Sequence, residues 1–418
     1  MELERIRCEK YRLAFLLSAA MLFRVGTCAA AMFFCFGAGA VAKHIRVEEG
    51  TGISCFCAGG GTAGRQPPAR EFRILWYNVE NLFHPSDDSI PGDDEFTPAG
   101  VRHWTWKRYR QKLTALAKVI IAAGEGEPPE LVGLAEVEND SVLADLAGHP
   151  ILKPYGYRFL HRDGPDHRGM DVAVLCREER FGLLECTFHP PPPDKMFSET
   201  REMVHISGTW GRRDTLDLFL VHLISRYSGT GATASYRREQ VRLLTWLIDS
   251  VLSRRQHAPV VVAGDFNEET DGYAMEPMRQ VLSGGDSVRA ISPEIPSGNS
   301  FRAISPEISS GNSFRAISPE SPAGNSIRNI GLEGGGGSYK YRGVWEQIDR
   351  FMVTGGGGRY RFEGSTLQLP VLLTPDEAYG GIKPRRTYEG FRYAGGVSDH
   401  LPVLLVIRRR LFPEGSAR

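Results

Sequence analysis

Cysteine is scarce in most of this 418-residue chain. Five of the seven cysteines lie within the first 57 residues, which leaves only Cys176 and Cys186 for the rest of the sequence. No Cys-x-x-Cys pair has a matching histidine or cysteine partner, and this absence argues against a structural zinc site. Unpaired thiols are the expected state of these cysteines.

Net charge is absent as well. The 50 basic residues balance the 50 acidic ones, which argues against a chain that binds polyanions through its overall charge. A local basic groove remains compatible with this balance. Hydrophobic residues make up 41% of the sequence, which is enough for a large core in one big domain or two.

The N-terminus carries two apolar runs, residues 13–23 and 25–42, separated by Arg24. The first run has the length of a signal-peptide core, and an Ala-x-Ala cleavage pattern ends at Ala42. The alternative is a single membrane span, in which Arg24 would cost about 2.5–3.5 kcal/mol at the helix centre. We therefore expect residues 1–42 to be a signal peptide or an N-terminal membrane anchor. The protein is then extracytoplasmic: secreted, periplasmic or membrane-anchored.

Two further segments are distinguished by composition. Residues 43–70 are rich in glycine, alanine and proline and are interpreted as a linker, so the folded domain is expected to span residues 71–410. Residues 289–327 contain three tandem copies of a 13-residue unit with its own proline and glycine. The unit has few apolar residues and is shorter than the usual solenoid repeats, so we interpret it as an insert in a surface loop.

Polar residues follow an apolar run at residues 260–263. Gly264 ends the run, and Asp265 and Asn267 follow it. The run predicts a buried strand that presents a carboxylate and an amide at the edge of a sheet. The alternative is that both residues only form a turn.

The same arrangement recurs at other predicted strands. An acidic residue leaving a buried strand is costly unless it is paired or bound to a cation. Turn formation, a solvated loop or a satisfied structural histidine is the alternative at each position. The residues that follow or open these strands are Asn78 and Glu80, Glu136, His222, Asp349, and Asp399 with His400. Two arginines accompany them: Arg168 in the loop at residues 162–169, and Arg201 at the start of a strand.

These motifs, in this order, resemble the endonuclease/exonuclease/phosphatase (DNase I-like) superfamily. Gly264-Asp265-Phe266-Asn267 and Ser398-Asp399-His400-Leu401-Pro402 are the most specific pieces, and residues 78–83 resemble a bacterial endonuclease-like branch. The resemblance covers about residues 72–407. It implies an α/β fold, a four-layer sandwich of two packed, mostly antiparallel sheets flanked by helices. The alternation of strands and helices alone also allows a doubly wound sheet.

The resemblance also implies roles for the residues. Asp265 would orient or deprotonate the attacking water, Asn267 would hold the phosphate and Asp265, and His222 and His400 would be the two imidazoles. Asp349 would orient one of these, without an indication of which. Glu136 is the main expected ligand of Mg²⁺ or Mn²⁺, with Asn78, Glu80 and Asp399 nearby, because hard oxygen ligands suit these ions. Arg201 and Arg168 would contact the substrate.

We therefore expect a metal-dependent phosphodiester hydrolase, an endonuclease acting on DNA or RNA. A phosphomonoesterase or a lipid or inositol phosphodiesterase of the same superfamily is the alternative, because these enzymes share the motifs and differ in their loops. Basic residues near the site favour a nucleic acid over other phosphodiesters. The intact motifs argue against a catalytically inactive binding module. The protein is expected to be a monomer.

Overall fold

A computed structural model describes residues 71–86, 94–211, 214–226, 230–255, 258–282, 327–330, 332–333, 337–354 and 359–410. The expected signal peptide or anchor, the linker and the tandem repeat up to residue 326 lie outside these residues. Every helix in the described part is too short or too polar to cross a bilayer.

Two sheets form the centre of the fold. The first has seven strands, in the order β10 (Leu332–Glu333), β14 (Tyr360–Thr366), β19 (Val403–Arg409), β1 (Glu71–Leu82), β2 (Leu131–Val137), β4 (Asp171–Arg177), β3 (Tyr157–Leu160). The second has six strands, in the order β5 (Phe181–His189), β6 (Met203–Trp210), β7 (Asp214–His222), β8 (Val260–Asp265), β13 (Asp349–Thr354), β9 (Ile327–Asn329). Most neighbours are antiparallel; the parallel pairs are β1–β2, β7–β8 and β10–β14. These mixed sheets rule out the doubly wound alternative.

Helices and short hairpins complete the architecture. The longer helices are α1 (Trp106–Ala123), α2 (Asp140–Ala147), α3 (Thr230–Arg254) and α4 (Glu276–Leu282). The hairpins are β11 (Tyr339–Tyr341) with β12 (Val344–Glu346), β15 (Leu373–Pro375) with β16 (Ile382–Pro384), and β17 (Tyr388–Glu389) with β18 (Arg392–Tyr393). Asn139 caps the N-terminus of α2, because its side chain accepts from the amides of Ser141 and Val142.

Successive side chains of the central strands point to opposite faces, and this produces three apolar layers. Ile74 and Trp76 of β1 pack into the core between the two sheets, whereas Leu75 and Tyr77 pack with α1 and α2 on the outer face. Residues of β7 and β8 such as Phe219 form the third layer with α3. Because successive side chains point to opposite faces of a strand, each central strand is buried on both sides. The order helix, sheet, sheet, helix confirms the expected four-layer α/β sandwich.

The polar strand ends meet at one edge of the second sheet. In the parallel pair β7–β8, His222 is opposite Asp265. β13 runs antiparallel to β8, so its first residue, Asp349, is opposite Asp265 on the other side. Gly264 allows this close approach, since a Cβ at that position would lie 2.3 Å from the carbonyl oxygen of Val221. The strand register therefore brings an imidazole and two carboxylates side by side.

Candidate active site

Asp265 lies at the centre of this polar edge. Its Oδ1 accepts from the backbone amide of Asn267 at 2.8 Å, and its Oδ2 accepts from the Asn78 amide at 3.2 Å. Burial, and then the nearby carboxylate of Asp349, raise the pKa of Asp265 to about 7. A carboxyl group with a pKa near neutrality is suited to accept a proton. Asn267 contacts Asp265 through its backbone, because its own side-chain amide donates to the carbonyl of Leu223 at 3.0 Å.

The structure shows which imidazole Asp349 orients. The Nδ1 of His400 donates to Asp349 Oδ2 at 2.7 Å. Asp349 is itself fixed by the indole N–H of Trp76 at 2.9 Å and by the hydroxyl of Ser338 at 2.7 Å. A second hydroxyl, that of Ser398, accepts from the backbone amide of His400 at 3.0 Å. The orientation of the ring is thus set by groups from four separate parts of the chain.

The charges around His400 favour its protonated form. Burial alone would lower the pKa of His400, but the carboxylates of Asp349 and Asp265 outweigh it and hold the pKa well above its usual value. The Nε2 atom lies 3.8 Å from Asp265 Oδ2 and 4.0 Å from Asp399 Oδ1, beyond hydrogen-bonding distance of both. The Nε2–H therefore faces the acidic groups without being bound to either.

His222 has the opposite electrostatic environment. The guanidinium of Arg201 donates to His222 Nε2 at 2.9 Å, which assigns the ring proton to Nδ1. Burial, and then Arg201, hold the pKa of His222 well below its usual value, so the ring is neutral. Its Nε2 lies 3.6 Å from Asp265 Oδ2. The two histidines beside Asp265 therefore carry different charges at neutral pH.

A further aspartate, not predicted from the sequence, holds both candidate arginines. Asp166 is buried; its Oδ2 accepts from Arg201 at 3.1 Å, and its Oδ1 lies 3.7 Å from Arg168 Nε. Arg201 is also buried, so most of its donors are used within the protein, whereas Arg168 is more than a third exposed. Of the two, Arg168 is thus the one placed to reach a bound molecule. The signal for Asp166 in the sequence is only an acid in a polar loop.

Glu136 lies at the end of β2 beside Asn78. Its Oε1 accepts from Asn78 Nδ2 at 3.3 Å and its Oε2 from the backbone amide of Asn81 at 2.9 Å. Glu80, Asn81, Glu136 and Asn267 have φ values of +51°, +52°, +63° and +48°. Non-glycine residues adopt this left-handed region at a cost, and such residues concentrate at functional sites. The sequence predicts that β1 ends before Asn78. In the structure β1 instead continues to Leu82, with an irregular register between Asn78 and Leu82.

Arg386 joins the other two expected metal ligands. Its guanidinium donates to Glu80 Oε1 at 3.0 Å and to Asp399 Oδ2 at 2.7 Å, and the amide of Thr387 donates to Glu80 Oε2 at 2.7 Å. Burial and the neighbouring Asp399 raise the pKa of Glu80 to about 7, although Arg386 opposes the shift. Lys112 of α1 donates to the backbone carbonyl of Glu80. Arg386 is one of the basic residues expected near the site from the sequence, but nothing local indicates this ion pair.

The donor set suits a hard divalent cation. Glu136 offers a half-buried carboxylate beside the amide of Asn78, and Mg²⁺ usually binds to one or two carboxylates and keeps several waters. Asp399 has one carboxylate oxygen free of Arg386. Among the described residues, the ligand atoms of Asp265, Asp349 and His400 also lie within 4.8 Å of one another. All residues singled out from the sequence thus belong to one connected network at the rim of the two sheets.

Beside this network lies a cavity of about 210 Å³. It is lined by Glu80, Asn81, Phe96, Arg102, Arg386, Thr387, Tyr388 and Gly390. The guanidinium of Arg102 lies over the rings of Phe96 and Tyr388, at 4.8 and 5.3 Å from their centroids. Tyr339 of β11 packs against the ring of His400, with 4.8 Å between centroids. The surroundings of the site are thus both basic and aromatic.

The chain is similar to several known proteins. The model of the Endonuclease/Exonuclease/phosphatase family matches residues 73–290 and 314–409, which is more than half of the chain. Similar solved structures include a humanized D. rerio TDP2 (15% identity, TM-score 0.45, covering 81% of this chain and 100% of that one) and the human Nocturnin catalytic domain with bound sulfate (13%, 0.45, 82% and 97%). A family protein from Bacteroides vulgatus is also similar (14%, 0.46, 81% and 99%). A search of the curated proteins found no match.

Proposed function

The chain belongs to the endonuclease/exonuclease/phosphatase family, whose members are hydrolases of phosphoester bonds, and we propose that it is a metal-dependent phosphodiesterase that cleaves DNA or RNA internally. The observation that carries this proposal is the arrangement of Asp265 between a neutral His222 and a protonated His400 that Asp349 orients. A base and an acid with different proton affinities at one site are what hydrolysis of a phosphodiester requires.

The side chains divide the chemistry among them. Asp265 accepts a proton from the attacking water, and the Nε2–H of His400 donates to an oxygen of the phosphate, because it makes no other hydrogen bond among the described residues. Asp349 keeps His400 oriented and charged. Glu136 and Asn78 would hold Mg²⁺ or Mn²⁺, and such an ion supplies positive charge that stabilises the phosphoryl oxygens. Arg168 contacts a backbone phosphate.

A nucleic acid is favoured by the surroundings of the site. The cavity next to Glu80 combines the guanidinium of Arg102 with the ring of Tyr388, and Phe391 on the neighbouring loop is 67% exposed. Arg102 also lies over Phe391, at 5.2 Å from the ring centroid. Cationic and aromatic side chains side by side match the alternating phosphates and bases of a polynucleotide strand.

The first test is a comparison of substrates and metals. The full-length chain is assayed with Mg²⁺ against supercoiled plasmid DNA, single-stranded RNA, bis-p-nitrophenyl phosphate, p-nitrophenyl phosphate, sphingomyelin and inositol polyphosphates. We expect nicking of the plasmid or internal cleavage of RNA, loss of activity in EDTA, and recovery with Mg²⁺ or Mn²⁺. Preferential hydrolysis of sphingomyelin, inositol phosphates or the monoester would replace the nucleic acid with the alternative substrate class. Full activity in EDTA would contradict metal dependence.

The role of Glu136 has its own prediction. Glu136→Gln removes the ligand charge and keeps the shape of the side chain, so kcat should fall by at least about 10²-fold. Glu202→Gln is a matched control, since Glu202 is a half-buried glutamate that binds Arg162 rather than the site. Its kcat should stay near that of the wild type. Activity of Glu136→Gln within a few-fold of wild type would remove Glu136 from the proposed ligand set.

A further inference from the structure

A second cluster of metal-binding side chains lies on the same rim as the candidate active site, one strand further along the first sheet. Asp171 opens β4 and is in register with Val137, the residue after Glu136. His161 follows the end of β3, and Asp163 lies in the loop that connects β3 to β4. One ligand atom from each of His161, Asp163 and Asp171 lies within 4.8 Å of the others.

The ring of His161 is held in a defined orientation. Its side chain is only 1% exposed, and its Nδ1 donates to Asp140 Oδ1 at 2.8 Å. The Nε2 on the other side of the ring is buried and has no hydrogen-bond partner. A carboxylate on one ring nitrogen is the arrangement that commonly orients a metal-binding histidine, and it leaves the other nitrogen to face the metal.

The spacing around Nε2 fits a metal ion better than a hydrogen bond. Nε2 lies 3.4 Å from Asp171 Oδ2. Zinc binds imidazole nitrogen at about 2.0–2.1 Å and carboxylate oxygen at about 2.0–2.2 Å in a tetrahedral geometry, so two such ligand atoms are about 3.4 Å apart. The amide of Gly164 donates to the same Asp171 oxygen at 3.2 Å and holds the carboxylate in place. A Cβ on Gly164 would lie 2.5 Å from Asp171 Oδ1, which makes this position suited to glycine.

We propose that His161, Asp163 and Asp171 bind a divalent transition-metal ion, with Asp140 as the positioning residue of His161. One imidazole with two carboxylates suits Zn²⁺ or Mn²⁺, whereas Mg²⁺ and Ca²⁺ prefer oxygen ligands alone. Asp163 is exposed, which gives the ion access from solvent. The site contains no cysteine, so the cysteine pattern of the sequence does not bear on it.

The proposed site is linked to the active site through one loop. The segment that carries Asp163 continues to Asp166, which holds Arg201 and so the ring of His222. Asp171 closes the same loop at its other end. A metal ion bound to both ends would fix the loop, and occupancy of this site would then tune the position of Arg201. This assignment of a metal site is independent of the proposed nuclease function.

The test uses zinc binding to the full-length chain after removal of any affinity tag. The background protein carries Glu136→Gln and His400→Ala, which weaken binding at the candidate active site. Titration against a chromophoric zinc chelator should show one zinc ion bound per chain. In this background His161→Gln and Asp171→Asn should abolish binding of that ion. Asp140→Asn should lower the zinc affinity by about 10- to 100-fold, the usual effect of removing a partner of a metal ligand.

Two further variants keep the result interpretable. His167→Gln makes the same change at an exposed histidine of the same loop and should leave zinc binding intact. If His161→Gln or Asp171→Asn does not fold, Asp163→Asn replaces it, because an exposed side chain is changed with little effect on stability. Zinc should also raise the melting temperature of the background protein and leave that of Asp163→Asn unchanged. Absence of saturable zinc binding, or an equal loss in His167→Gln, would overturn the proposal.

Discussion

At the scale of single residues, the proposed mechanism has Asp265 and His400 act on different partners in the same transition state. In that proposal Asp265 acts on the attacking water and His400 Nε2 on the phosphate, so neither would be needed mainly for substrate binding. Asp265→Asn and His400→Ala should each lower kcat by roughly 10²-fold or more and leave KM nearly unchanged. Because both serve one step, the double variant should lose much less than the product of the two factors.

Steady-state kinetics of the three variants checks this prediction, with circular dichroism to confirm folding. His222→Ala provides a comparison: a similar loss of kcat is expected if the neutral imidazole faces the substrate, and a milder one if it only anchors Arg201. Near wild-type kcat for both Asp265→Asn and His400→Ala, in folded protein, would remove the catalytic assignment and leave a binding module.

The raised pKa of Asp265 predicts an acidic limit to activity. Its carboxylate must be deprotonated to accept a proton, so kcat/KM should fall as the pH drops through about 7, or through a lower value where a bound cation favours the charged form. Glu80 has a similar pKa but pairs with Arg386. The acidic fall in kcat/KM should therefore remain in Glu80→Gln. If this fall disappears in the variant, the group whose protonation limits activity is Glu80 instead.

At the scale of elements, the strand β8 depends on Gly264. Gly264→Ala would place a methyl group 2.3 Å from the carbonyl oxygen of Val221, and the backbone of the parallel strand cannot yield without moving His222. Overpacking of this kind costs about 1–3 kcal/mol of stability. Gly231→Ala is the matched control: nothing lies within 4 Å of that position in α3, and alanine should stabilise the helix by up to about 1 kcal/mol.

Urea unfolding followed by tryptophan fluorescence measures both changes. Changes of opposite sign in the free energy of unfolding of the two variants would confirm that close strand packing, rather than the loss of a glycine, decides the stability. Equal or greater stability of Gly264→Ala would contradict the described β7–β8 contact.

Strands were predictable from the sequence where a run of apolar residues is followed directly by polar residues. The apolar runs before Asp265 and before Glu136 both form buried strands in the structure. The pairing of Asp349 with His400 was not predictable, because it depends on the register of β13 with β8 and on the loop before β19. The ion pairs of Arg386 were not predictable for a related reason: its partners lie 306 and 13 residues away in the chain.

At the scale of the whole molecule, the sandwich should tolerate a shorter insert. The structure begins β9 at Ile327, which pairs with Thr354, so the third copy of the repeat leads directly into the second sheet. Deletion of residues 289–314 removes two copies and keeps this strand. Closing the shorter loop changes the free energy of unfolding by less than about 1 kcal/mol, and kcat/KM should stay within about two-fold of wild type.

A scrambled insert of the same length is the matched control for this deletion. It should behave like the wild type, since the prediction assigns no sequence-specific role to the repeat. Loss of folding or activity in the deletion alone would mean that loop length matters, and loss in both would give the repeat sequence a function.

The left-handed backbone at Glu80, Asn81, Glu136 and Asn267 also lowers the stability of the folded molecule. The two glutamates at such positions cost about 1–2 kcal/mol each and the two asparagines less, and this loss is appreciable against the 5–15 kcal/mol by which typical domains are stable. The apolar layers must make up this loss. Heat resistance and turnover therefore place opposite demands on the rim, because a relaxed backbone there would stabilise the fold and at the same time free the segment whose amide holds Glu136.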